Sequence, residues 1–126
     1  MVLLGLGGQA GSAAHADRTA EALNRMQPRL LSTLRVVPIP GTPLGREMKA
    51  RRFLEVSERG VVEELRRVLA GLEMANTVFR ANHVSNVVPL EGRLPKDKAR
   101  LVAELDALLR SERLDRYSPG AQPLWL

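Results

Sequence analysis

Val2-Leu3-Leu4-Gly5-Leu6-Gly7-Gly8-Gln9-Ala10-Gly11-Ser12 passes from an unbroken apolar run, through a glycine-rich turn, to the start of a helix. An apolar run without polar alternation suits a short strand buried on both faces. Gly7, Gly8 and Gly11 end it. From Ser12 to Met26 the period becomes helical, with Ala16, Ala20, Leu23 and Met26 on one face, Ser12 as N-cap and Pro28 just beyond the end.

The same unit repeats downstream. A second strand is expected over Leu31–Val37, closed by Pro38-Ile39-Pro40-Gly41-Thr42-Pro43, where three prolines and a glycine forbid a regular ladder. A short helical piece covers Leu44–Phe53. The strongest helix runs Ser57–Glu73, with Val61, Leu65, Val68, Leu69 and Leu72 in one apolar stripe. Thr77–Arg80 reads as a third strand, and a third long helix follows Pro95, with Leu101, Leu105 and Leu108 on its buried face beside Val102 and Leu109. This β-α-β-α-β-α order predicts an α/β fold of parallel strands with helical crossovers. A sheet stepping in one direction places its helices on one face, so the other is expected to need cover.

With 126 residues, 44% hydrophobic and 26% charged, the chain has room for one modest domain, placed at 1–110. Residues 111–126 lose periodicity, turn at Pro119-Gly120 and end in Leu124-Trp125-Leu126, a tail expected to dock on the body. The absence of cysteine excludes disulfides, thiolate zinc and thiolate-bound iron–sulfur clusters from this chain. With only His15 and His83, no metal site is expected. The net charge of +5 comes from arginines scattered among acids, which argues against a nucleic-acid footprint. No apolar run is long enough to cross a membrane and nothing points to export, so a cytoplasmic protein is the expectation.

Ligands of parallel α/β folds gather at the carboxyl ends of the strands. Three groups fall there: Gly5, Leu6, Gly7 and Gly8; Pro40, Gly41 and Thr42; and His83, Ser85 and Asn86 with Asn82. The glycines permit close backbone approach to a phosphate or nucleotide, or serve only a strand-to-helix turn. A dinucleotide site wants an acid at the end of the next strand, where Val36-Val37-Pro38 stands, and no Walker A pattern occurs. Thr42 and the Gly41 backbone are candidate donors on a rigid pocket wall. His83, Ser85 and Asn86 can exchange protons and hydrogen bonds with a substrate, or satisfy their own loop's backbone. His15 reads as an exposed helix residue, and the arginine pairs at 51–52 and 66–67 as solvated faces.

Taken in order, Leu4-Gly5-Leu6-Gly7-Gly8 with His15-Ala16-Asp17-Arg18-Thr19-Ala20, then Pro40-Gly41-Thr42-Pro43-Leu44, then Asn82-His83-Val84-Ser85-Asn86 and Pro89-Leu90-Glu91-Gly92-Arg93-Leu94-Pro95-Lys96-Asp97-Lys98 resemble the C-terminal half of radical S-adenosylmethionine (radical SAM) proteins. The similarity covers about residues 2–110. It implies a partial (βα)6 barrel in which Val2–Leu6 is the fifth strand and Leu31–Val37 the sixth. It further implies S-adenosylmethionine near Gly5, Leu6, Gly7 and Gly8, and near Pro40, Gly41 and Thr42; His83, Ser85 and Asn86, by residue type, are the candidates for the substrate side. The family's Cys-x-x-x-Cys-x-x-Cys motif, which ligates the [4Fe–4S] cluster, is missing here. The resemblance therefore implies a fragment without activity by itself, partnered by a cysteine-bearing N-terminal half or by self-association. A stand-alone α/β interaction module that dimerises or binds an acidic partner is the alternative, and a free-standing nucleotide enzyme lacks a recognisable acid or base.

Overall fold

The elements of residues 1–115, the part described by the computed structural model, run β1 (Val2–Leu4), α1 (Gly8–Met26), β2 (Leu30–Arg35), α2 (Pro43–Lys49), α3 (Glu58–Gly71), β3 (Thr77–Arg80), β4 (Glu91–Leu94) and α4 (Lys98–Arg110). The strands form one sheet in the order β1-β2-β3-β4. β1, β2 and β3 are parallel, and β4 runs antiparallel to β3. The protein is α/β with a four-stranded, mostly parallel sheet.

β4 corrects the expectation of parallel strands only. Glu-Gly-Arg-Leu has no apolar run to announce it, because an edge strand needs to bury just one residue, Leu94. β1 stops at Leu4, two residues early, since Gly5 turns the chain with φ +82°. α1 begins at Gly8 rather than Ser12, and Met26, expected on its buried face, is exposed. Side-chain caps start the next two helices: Thr42 Oγ accepts from Gly45 N and Ser57 Oγ from Gly60 N, both at 3.1 Å.

Burial alternates along the strands. Leu4, Leu31, Thr33, Thr77, Phe79 and Leu94 are buried, and the registers that set Leu31 beside Phe79 and Thr77 beside Leu94 place these residues on one face. Their neighbours Leu3, Leu30, Leu34, Val78 and Arg80 point the other way and are partly or fully exposed. The three long helices therefore cover a single face, with α1 packed on α3 and α3 on α4. The stripe Val61, Leu65, Val68 and Leu69 is the middle of one continuous core. Each of these side chains contributes about 1.5–3 kcal/mol through burial.

The paired arginines 66–67 are half-exposed yet tie helices together: Arg67 holds Asp17 of α1 at 2.7 and 2.8 Å, and Arg66 holds Asp106 of α4. These hydrogen bonds hold both carboxyls below the usual range. Arg52 pairs with Glu47 on the surface. Of the expected tail, Asp115 lies within the described part and accepts from Glu58 N and Arg59 N at the start of α3. The docking expected of Leu124-Trp125-Leu126 lies outside the described residues. Among those described, no helix is long and apolar enough to cross a membrane.

Candidate functional site at the carboxyl ends of the parallel strands

Three parallel strands put three loops on one rim, and the Phe53–Val56 segment crosses between them. Gln9 N donates to Leu54 O at 2.9 Å, Gln9 Nε2 to Glu55 O at 3.0 Å, and Arg35 to Val56 O at 3.2 Å. At the start of α1, which sequence offers to a phosphate, the amides of Gly8 and Gln9 are thus taken by the chain's own carbonyls. Gly8 has φ +68°, where a side chain is strained, and a Cβ there would press on Leu54 O and the Phe53 ring at 3.1 and 3.2 Å.

Beneath the first loop lies a buried carboxylate that the sequence reading did not single out. Glu64 of α3 is 2% exposed. Its Oε1 accepts from Gly5 N at 3.0 Å and its Oε2 from Ser12 Oγ at 2.7 Å. His15 Nε2 stands 3.5 Å from Oε1 and 3.0 Å from Leu3 O. His15 is therefore half-buried and engaged, not the exposed helix residue expected. The signal was present: Glu64 follows Val61 by three residues and precedes Val68 by four, so it sits within the apolar stripe. Beside it opens a cleft of about 450 Å³ lined by Gln9, Ser12, Glu63, Glu64, Arg66 and Arg67. Of the candidate turn, the Gly5 and Gly8 amides are taken by Glu64 and by Gly5 O, while Leu6 and Gly7 are exposed.

In the second loop, Gly41 has φ +84° and Thr42 is fully engaged. Thr42 N and Oγ1 both donate to Ile39 O, at 3.2 and 2.6 Å, and Arg46 donates to Gly41 O at 2.8 Å. The hydroxyl expected on a pocket wall instead caps α2, and the outward groups here are the backbone of Pro40 and Gly41 and the Ile39 side chain.

The third loop completes a strand ladder with side chains. In a parallel ladder alternate residues direct both backbone groups to the same neighbour. Val36 N donates to Leu4 O at 2.8 Å, so even-numbered residues of β2 face β1 and odd-numbered ones face β3. The β2–β3 register extends only to Ser32 and Arg80. Beyond it, Asn86 Nδ2 donates to Thr33 O at 2.8 Å and Arg35 N donates to Ser85 Oγ at 3.3 Å. Ser85 N donates to His83 Nδ1 at 3.1 Å, with Ser85 Oγ 2.9 Å from the same nitrogen. An accepting Nδ1 assigns the neutral ring's proton to Nε2. Thr33 Oγ1 and Asn86 Oδ1 are buried without hydrogen-bond partners among the described residues.

Close by, Arg35 lies 3.7 Å from Glu55, whose carboxyl burial pushes up against the opposing pull of the guanidinium. Ser85→Ala leaves the Arg35 amide without its acceptor and is expected to cost about 1–3 kcal/mol. Urea unfolding with amide exchange read at Arg35 checks it, and an unmoved midpoint with a protected amide contradicts it.

The structure therefore brings all three sequence candidates to one rim and engages most of their polar atoms internally. No family model, curated protein or solved structure matches the chain.

Proposed function

We propose that this chain is the C-terminal βα portion of a radical-SAM-type barrel, with β1 and β2 as its fifth and sixth strands, inactive by itself and completed by a cysteine-bearing segment. The one-sided sheet supports this reading most: helices cover one face, while Leu3, Leu30, Leu34 and Val78 line the other, which in a closed barrel lies inside. Gly5–Gly8 and Pro38–Thr42 share the rim where such barrels bind ligands.

The residues do not fit a [4Fe–4S] cluster, because the chain has no cysteine to supply a thiolate. For S-adenosylmethionine the fit is to backbone. The outward groups of Leu6 and Gly7, with the exposed Leu6 and Ile39 side chains, would hold an adenosyl group, and Pro40 and Gly41 would flank it. When bound, the sulfonium supplies the carbon–sulfur bond that this chemistry breaks. Glu64 contributes by holding the Gly5 turn in shape.

Co-expression with the reading frame upstream tests the proposal. The expected result is a cysteine motif in that frame, a stable complex, and a melting temperature raised by S-adenosylmethionine for the complex and not for the chain alone. An upstream product without cysteines, or a chain that forms a cooperative dimer and ignores that product, overturns it and favours the stand-alone interaction module.

A further inference from the structure

β1 is the outermost strand of the sheet, and its phase is fixed by the Val36–Leu4 hydrogen bond: Val2 and Leu4 face β2, while both backbone groups of Leu3 and the N–H of Gly5 point away from it. Two of these outward groups are already bonded. Leu3 O lies 3.0 Å from His15 Nε2, and Gly5 N donates to Glu64 Oε1 at 3.0 Å. The two side chains are themselves 3.5 Å apart.

We infer that His15 and Glu64 form a clip that closes the free edge of β1 against pairing with the same strand of a second copy. Exposed edges are templates for another chain, and proteins guard them with charges, proline, bulges or covering groups. The opposite edge, β4, carries Glu91 and Arg93, both exposed. β1 is Val-Leu-Leu, with no charge, proline or bulge, and Leu3 is exposed on it. An apolar edge of this kind is self-complementary about a two-fold axis, which makes a second copy the occupant that the clip excludes. Covering groups are what remain to guard it, and His15 is placed to be one. Its ring satisfies Leu3 O, and the Glu64 carboxylate beneath it takes the next outward amide. A strand added here must first displace both.

The inference stands on edge geometry and does not require the barrel reading; in that reading the completing segment's strand would have to displace the same clip to pair with β1. His15→Ala removes the outer half of the clip at a helical position where alanine is well tolerated. Sedimentation equilibrium of the full chain is expected to show self-association tightened about tenfold or more, equivalent to about 1.4 kcal/mol. Adding Leu3→Pro, which deletes the outward N–H of β1, is expected to return it to the parent value. A folded His15→Ala protein that associates no more than the parent overturns the inference, as does association that Leu3→Pro leaves unchanged. Should His15→Ala not fold, amide exchange on the parent decides: a protected Gly5 beside an unprotected Leu3 amide supports the clip, and an unprotected Gly5 overturns it.

Discussion

Glu64→Ala lowers the unfolding free energy by roughly 3–5 kcal/mol, the combined cost of orphaning two donors and opening a cavity in the core. Glu64 is the one carboxylate buried in the helical stripe, and it accepts from the Gly5 amide and the Ser12 hydroxyl while standing beside His15. Alanine leaves a buried amide and a part-buried hydroxyl unpaired and adds a void between α3 and the end of β1. A domain of this size has roughly 5–15 kcal/mol in hand, so the loss is a large share of the total. Glu64→Gln keeps the shape and one acceptor oxygen, and its cost is expected to be smaller by half or more. Urea denaturation of both variants measures the difference. If alanine and glutamine cost the same, or alanine costs under about 0.5 kcal/mol, the carboxylate is not what holds the turn.

The fold was legible wherever apolar periodicity was long. α3 was read to within two residues at each end, because its stripe is strong and Ser57 caps it. The alternation of strands and helices gave the parallel core of the sheet. β4 escaped because Glu91-Gly92-Arg93-Leu94 buries one side chain and draws its stability from pairing with β3 rather than from pattern.

The three loops were correctly placed on one rim, since parallel strands leave no other arrangement. Their roles were harder to read. Whether Ser85 and Asn86 meet a ligand or complete the edge of β2 depends on where β3 leaves the ladder, and no local residue announces that Arg80 is its last paired position. Likewise His15 looked solvated because its partners, Leu3 O and Glu64, lie 12 and 49 positions away in the chain. Glu64 itself could have been noticed: a carboxylate between Val61 and Val68 on an apolar stripe must find donors or be excluded from the core.

Gly45→Ala is expected to destabilise the protein by about 3 kcal/mol or more, against the usual direction of such a change. Inside a helix, alanine exceeds glycine by about 1 kcal/mol in propensity. Gly45 sits in the first turn of α2, and a Cβ built there would stand 2.1 Å from Ile39 O and 2.8 Å from Ile39 C. These are backbone atoms, so no rotamer change relieves the overlap. The Pro38–Thr42 turn must move as a whole, breaking the Thr42 amide and hydroxyl bonds to Ile39 O and the cap that Thr42 provides to Gly45 N. Losing that cap alone costs about 0.5–2 kcal/mol. Gly11→Ala is the control. It lies inside α1, where beyond the adjoining helix backbone nothing comes within 4 Å of the added Cβ, and it is expected to stabilise by about 0.5–1 kcal/mol. Opposite signs at the two glycines, read from urea midpoints, would show that the second loop is held by backbone contact with α2. Equal signs would mean that Pro40, Gly41 and Thr42 can shift freely, and a rim that shifts there is not a preformed wall for an adenosyl group.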